Sequence, residues 1–187
     1  MNRGIVYTVW GTYNHIYLDR SVASIKDEHT VLHIESTLPG LCKKIDMITS
    51  PYDVTCYLDA DTQVRDDISY GFDMAEKYGI AVCIAPAGSA YHANPNPIRH
   101  LLPVELPQYN TGVIFFDKRK EVVQRVFNRW RELVEQHPKC GPNDQIPFSL
   151  AVHENMNPYV LPREWNFRAK IRYEGMAHGK VRILHVK

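Results

Sequence analysis

The 187-residue sequence predicts an α/β fold, a mostly parallel central sheet flanked by helices. Three observations carry that reading. Short runs such as VTCYL, IAVCIA and TGVIFFD are apolar at successive positions, so both faces of those strands are buried, as in parallel sheets. Segments with helical apolar spacing alternate with them. One strand also ends in a pair of carboxylates, Asp59 and Asp61, at the end where such sheets bind ligands.

Taken in order, Ile5 to Trp10 is a β-rich run, and Gly11 leads into a helical stretch over Tyr13 to Ile25. Thr30 to Glu35 is a second strand. Pro39-Gly40 breaks the chain before a helix over Cys42 to Ser50. A turn at Pro51-Tyr52-Asp53 precedes the third strand, Val54 to Leu58. Asp66 to Tyr78 places Ile68, Phe72, Ala75 and Tyr78 on one helical stripe, stopped by Gly79. Ile80 to Ala85 is a buried strand. Pro86 to Gln108 holds five prolines and reads as a long loop. Thr111 to Asp117 is another buried strand. Arg119 to His137 carries an apolar stripe from Val122 to Val134 that includes Trp130, a core-packing pattern. A helix over Asn143 to His153, a strand over Tyr159 to Leu161 and a last strand over Val181 to His185 complete the chain, read as one domain over residues 1–187.

Composition narrows the function classes. Net charge is +1, which gives no electrostatic footprint for nucleic acid or an acidic membrane. The pairs and triplets Lys43-Lys44 and Lys118-Arg119-Lys120 read as solvated faces or helix starts. The four cysteines form no CxxC pair, and Cys56 and Cys83 sit in apolar runs as small hydrophobes. A reducing compartment suits them better than a disulfide framework or a zinc site. No run is long enough for a signal-peptide core or a membrane span. The expectation is a soluble, cytoplasmic protein.

The segment CYLDADTQV raises the chemical question. Read as strand, it puts Asp59 and Asp61 on one face, where like charges repel. A divalent cation relieves that repulsion; Mg²⁺ and Mn²⁺ take hard oxygen ligands and leave positions for phosphate oxygens. Two solvated acids in a turn would be the bland alternative. A dehalogenase-like phosphatase would use DxDx(T/V), but here the fifth position is Gln63 and the motif follows the third strand rather than the first.

The segment SPYDVTCYLDADTQV (residues 50–64) resembles the DxD region of family 8, glycogenin-like glycosyltransferases of GT-A (Rossmann-like) fold. The resemblance continues in order through YNTGVIFF, NDQ, LPREWN and ILHVK, and so covers most of the chain. It implies a metal-dependent enzyme that moves a sugar from a nucleotide-sugar donor, a UDP-sugar by family habit, to an acceptor hydroxyl with retention. Alternatives are a nucleotidyltransferase or phosphatase on a similar scaffold, or an inactive nucleotide- or glycan-binding module.

By that resemblance Asp59 and Asp61, with Ala60 between them, hold the metal, and His185 is its third protein ligand. An imidazole ligand suits Mn²⁺ better than Mg²⁺. Tyr7, Thr8 and Val9 resemble the cradle of the nucleotide base, with Tyr13 placed to stack on it. Lys187 stands where the family has a basic contact to the diphosphate. Asn110 and Gly112 would border the donor sugar. Asp144 and Gln145 would face donor and acceptor hydroxyls, although Asp144 also suits a helix N-cap. Trp165 and Asn166 would line the acceptor side or form a packed corner. Gln145 or Asn110 would stabilise an oxocarbenium-like state; an inverting enzyme would need a general base, for which Asp144 or Glu164 could serve. The sequence departs from the family in its shortness and in stopping at HVK, where the family continues with a Gly-, Lys- and Trp-containing segment. A minimal catalytic core, with acceptor recognition resting on the Pro86 to Gln108 loop, is the corresponding expectation.

Overall fold

The computed structural model describes residues 2–11, 15–86, 98–141, 143–168 and 177–186. Its centre is a six-stranded sheet built from β1 (Arg3–Val9), β2 (His29–His33), β3 (Val54–Leu58), β5 (Ile80–Ile84), β6 (Tyr109–Asp117) and β7 (Tyr159–Leu161), in the order β2-β1-β3-β6-β5-β7. Five of these strands point one way, and β6 alone runs against its neighbours β3 and β5. All nine residues of β6 are buried, so it has the apolar signature of a central strand whatever its direction.

Both faces of the sheet are covered. One face takes α3 (Glu121–Gln136), α4 (Gln145–Asn155) and the 3₁₀ helix Gly40–Thr49. The Trp130 stripe packs there, its ring 4.8 Å from Phe148 and 5.9 Å from Phe127. The other face takes α1 (His15–Val22) and α2 (Ser69–Tyr78) through Leu18, Phe72 and Ala75. Gly79, at φ 94°, closes α2 by returning its N–H to the Ala75 carbonyl at 2.7 Å, a backbone conformation that favours glycine. Cys42 and Cys140 are free and buried, with Sγ atoms 3.8 Å apart.

Two features depart from the sequence reading. A strand over Thr62–Val64 (β4) was not anticipated, and the last strand, β8 (Ile183–His185), pairs antiparallel with it in a separate two-stranded sheet. The segment expected as a helix from Cys42 winds as 3₁₀. The long loop falls partly outside the described residues, and within its described part Arg99–Leu101 forms a 3₁₀ turn. Among the described residues no helix is long and apolar enough to cross a membrane.

Candidate active site

The carboxyl ends of β1 and β3 and the start of antiparallel β6 meet on one rim. Strand β3 stops at Leu58, opposite Val113, and the Asp59 N–H donates to the Gly112 carbonyl at 2.9 Å. The chain then turns: the Thr62 N–H and hydroxyl both donate to the Asp59 carbonyl, at 3.1 and 2.8 Å. Asp59 and Asp61 therefore sit in a turn and not on a strand face, which corrects the pleat argument made from the sequence. The turn feeds β4, and β4 pairs Thr62 with His185 of β8. That register carries His185 from near the chain end onto the aspartates. Asp59, Asp61 and His185 each offer a ligand atom, all within 4.8 Å of one another, and His185 Nε2 lies 3.1 Å from an Asp61 oxygen.

A chain of amide contacts fixes which nitrogen of His185 faces the aspartates. The Gly112 backbone N–H, which can only donate, points to the Asn110 side-chain oxygen at 2.8 Å. That same oxygen receives the Asn166 amide N–H at 2.7 Å, so the Asn166 oxygen is left for His185 Nδ1 at 2.9 Å. Nδ1 must then carry a proton, which leaves Nε2 as the nitrogen that faces Asp61 and could ligate a metal. Such outer hydrogen bonds orient metal-binding histidines. Asn166→Ala is accordingly expected to weaken Mn²⁺ binding by about 10–100-fold, read by metal titration. Unchanged metal affinity would remove Asn166 from that role. Gly112 has its own reason: a Cβ there would lie 2.7 Å from His185 Cε1 and 3.0 Å from an Asp59 oxygen.

Charge balance rests on a residue that the sequence reading took as part of a solvated face or a helix start. Lys44, on the 3₁₀ helix, is only 2% exposed, and its ammonium lies 2.9 Å from Asp59 and 3.2 Å from Asp144. It also stands 5.5 Å over the Tyr57 ring. Burial acts to lower the Lys44 pKa, but Asp144 and Asp59 win and hold it well above the usual lysine range. Burial acts to raise Asp59, and Lys44, His185 and the Tyr57 hydroxyl, 2.7 Å away, bring it below the ordinary carboxylate value. Burial raises Asp144 against the pull of Lys44. Asp144 occupies the N-cap position of α4 without a side-chain capping bond; its carboxylate instead meets Lys44 and the Thr111 side chain.

These groups border a cleft of about 400 Å³. Asp59, Ala60, Asp61 and His185 line one side; Thr8, Val9 and Trp10 line another, with Leu41 and Arg168 at the border. Tyr7 points away. It is 0% exposed in the core, with its hydroxyl 2.8 Å from Ser21, which corrects its grouping with Thr8 and Val9. Asn110 and Gly112 stand behind the three candidate ligands. The Gln145 side-chain oxygen accepts from Gln108 at 3.0 Å. Trp165 is a packed corner against Phe115 and Tyr70. Tyr13 and Lys187 lie outside the described residues. Lys44, Tyr57, Trp10 and Arg168 are the site residues that sequence reasoning missed. A larger depression of about 480 Å³, beside Ser24, Lys26 and Asp66, contains none of the candidate ligands, and Asp66 there is taken by Arg182 and Lys180 at 2.6 and 2.9 Å.

A family model described as glycosyl transferase family 8 matches residues 44–185, from the buried lysine to the candidate histidine ligand. The chain belongs to glycosyltransferase family 8. This enzyme has no match among curated proteins. Among solved structures, it resembles the galactosyltransferase LgtC in complex with donor and acceptor sugar analogues, at 14% identity and a TM-score of 0.65 over 97% of this chain and 86% of that one. The glycosyltransferase GlyE of Streptococcus pneumoniae TIGR4 gives 15% identity and 0.65 over 98% of this chain, which spans 54% of GlyE. Mouse xyloside xylosyltransferase 1 in its apo form gives 11% identity and 0.63 over 100% and 98%. At these identities the likeness is one of fold, and that fold is GT-A. The family sets aside the phosphatase and nucleotidyltransferase readings.

Proposed function

We propose that this glycosyltransferase takes its sugar from a nucleoside-diphosphate sugar, a UDP-sugar in the first instance, and passes it to an acceptor hydroxyl with retention, using a divalent cation at Asp59, Asp61 and His185. The observation that carries the reading is the convergence of two carboxylates and a tautomer-fixed imidazole within 4.8 Å. Two oxygen donors and one nitrogen suit Mn²⁺, with Mg²⁺ the alternative. A cation held there would offset the charge on the departing diphosphate as a Lewis acid.

The protein's own groups divide the remaining work. Thr8 and Val9 form the side of the cleft proposed for the base, and Tyr13 is proposed to stack on it. Asn110, with its oxygen committed to Gly112 and Asn166, has only its amide N–H groups left to meet donor-sugar hydroxyls. Gln145, its oxygen taken by Gln108, likewise faces substrate through its N–H groups. Lys44 lies between Asp59 and Asp144 and favours the charged form of each beside the proposed sugar site. Retention is supported by the commitments of the two carboxylates an inverting enzyme could use as a base. Asp144 is paired with Lys44, and Glu164 accepts the His178 N–H at 2.7 Å. The acceptor hydroxyl then attacks on the face the diphosphate leaves.

Thermal unfolding with UDP or GDP, each with Mn²⁺ or a chelator, tests this reading. Ligand at about 100 times its Kd adds roughly 2.7 kcal/mol. For a chain of this size that is roughly 5–11 °C in Tm. The expected result is a shift with UDP that requires Mn²⁺. A shift with GDP alone would change the donor base, and none with either nucleotide would overturn the proposal.

A further inference from the structure

Cys42 and Cys140 stand 98 residues apart in sequence, yet their Sγ atoms meet at 3.8 Å, and both residues are 0% exposed. Neither takes part in the proposed chemistry. The other two cysteines are placed differently. Cys56 on β3 and Cys83 on β5 are separated by β6, two strand spacings of roughly 4.8 Å, beyond the about 7 Å over which a disulfide spans Cα atoms.

The backbones beside the close pair touch. Cys42 lies near the start of the 3₁₀ helix Gly40–Thr49, and Cys140 ends the 3₁₀ turn Pro138–Cys140. The Leu41 N–H donates to the Gly141 carbonyl at 2.9 Å, one residue before the first thiol and one after the second. Two glycines permit that approach. A Cβ on Gly40 would lie 2.6 Å from the Gly141 oxygen, and one on Gly141 would lie 2.9 Å from Pro39 Cβ. A disulfide holds its sulfurs at about 2.05 Å, so the remaining gap of about 1.8 Å closes by side-chain rotation and a small shift. The thiols lie one layer beneath the surface, under the exposed residues Gly40, Leu41, Pro138 and Lys139. Opening so short a turn costs far less than global unfolding. The hydrogen bond from Cys42 lowers the Cys140 pKa against the effect of burial, while the same contact and burial raise Cys42. Cys140 is therefore the sulfur better able to attack.

We propose that Cys42 and Cys140 form a reversible disulfide beside the cleft, with hydrogen peroxide as the oxidant. The Cys140 thiolate attacks one peroxide oxygen and the O–O bond breaks. Cys140 becomes a sulfenic acid, and the departing hydroxide takes up the proton that the thiol released, leaving as water. The Cys42 sulfur then attacks the sulfenic sulfur, and its proton leaves with the displaced hydroxide as a second water. Two thiols and one peroxide give one disulfide and two waters; a dithiol reverses the step. Lys44 follows Cys42 by two residues and Asp144 follows Cys140 by four, with ammonium and carboxylate 3.2 Å apart. The disulfide thus closes a covalent clasp behind that ion pair. It fastens the helix whose Leu41 borders the cleft to the segment that leads into α4. The inference rests on the two thiols and is independent of the nucleotide-sugar reading.

Non-reducing peptide mapping of the wild-type chain, before and after hydrogen peroxide, tests this. The expected product links the Cys42 peptide to the Cys140 peptide, leaves Cys56 and Cys83 as thiols, and is reversed by dithiothreitol. Tm is expected to rise on oxidation by roughly 4–16 °C, the usual range for a disulfide in a chain of this size. Amide exchange should slow over residues 39–45 and 137–145. Cys42→Ala and Cys140→Ala should each lose both the link and the rise in Tm. Survival of all four thiols, at a peroxide dose that oxidises them in the urea-unfolded chain, overturns the proposal. So does a sulfinic acid at Cys140 in place of the link, or a link formed only between two chains. A link that lowers Tm overturns the clasp, since it would then distort the two segments it joins. The mapping is made on wild type and stands whether or not either variant folds. None of these readouts involves nucleotide or metal, so their failure leaves the proposed function untouched.

Discussion

Replacing Lys44 by methionine is expected to cost about 3–5 kcal/mol of stability, the usual penalty for removing one partner of a buried ion pair. In a chain of this size that lowers Tm by roughly 6–20 °C, read by calorimetry or circular dichroism. Methionine keeps the length of the side chain, so lost packing is not the cause. The cost arises because Asp59 and Asp144 are left facing each other without the ammonium that lies between them. A charge left in a buried site either pays for its desolvation or takes up a proton.

The pH dependence separates these outcomes. In the wild type Lys44 is held above its ordinary value of 10.5, so its contribution is complete below that pH and is lost only as pH rises through the higher folded value. Asp59 is held below 3.8, so its contribution persists above that value and is lost as pH falls through the lower folded one. Between pH 5 and 8 both contributions are intact. In Lys44→Met, burial acts on Asp144 without the opposing pull of the ammonium, and its pKa rises further. A folded state that binds more protons than the unfolded one loses stability as pH rises. The variant is therefore expected to lie closer to wild type at pH 5 than at pH 8. A Tm within 2 °C of wild type at pH 8 would show that Lys44 does not carry this balance.

Lys44 also marks where sequence reading reached its limit. Strand positions, the Trp130 stripe and the carboxylate pair after β3 were legible because apolar period and turn signals are local. The sequence reading also ended the third strand at Leu58, ahead of the carboxylates. The direction of β6 was not legible, since a strand buried on both faces reads the same forward and reversed. Lys43-Lys44 read as a solvated face or a helix start, with no buried role. The clue lay in its neighbours, because Cys42, Ile45 and Met47 are all buried on the same 3₁₀ helix. Thr62–Val64 was too short to register as a strand, yet its pairing with β8 is what delivers His185. Tyr7 was grouped with Thr8 and Val9 although adjacent strand residues face opposite ways. Thr8 meets the Tyr57 hydroxyl at 3.4 Å on one side, while Tyr7 reaches Ser21 on the other.

Asp61→Asn should do the reverse of Lys44→Met: little change in stability and a near-complete loss of transfer. The Asp61 side chain is 22% exposed and meets His185 at 3.1 Å, with no buried lysine depending on it. Removing its charge leaves no uncompensated buried ion, and in the metal-free protein it relieves repulsion from Asp59. Tm measured in chelator should therefore stay within about 2 °C of wild type or rise slightly, since substitutions away from buried networks usually cost under about 0.5 kcal/mol. The proposed chemistry is another matter. An asparagine oxygen is a weaker ligand without net charge, so the cation loses a charged anchor while Asp59 is still shared with Lys44. If the metal supplies several kcal/mol to the departing diphosphate, sugar transfer should fall by about 10³-fold, equivalent to roughly 4 kcal/mol. The Mn²⁺-dependent shift with UDP should vanish with it. Release of UDP from a UDP-sugar, measured across a Mn²⁺ titration, reads both effects at once. A variant that turns over normally at ordinary Mn²⁺ would take Asp61 out of the metal site. One that has lost both activity and Tm in chelator would mean that Asp61 holds the turn between β3 and β4 together and does not serve the cation.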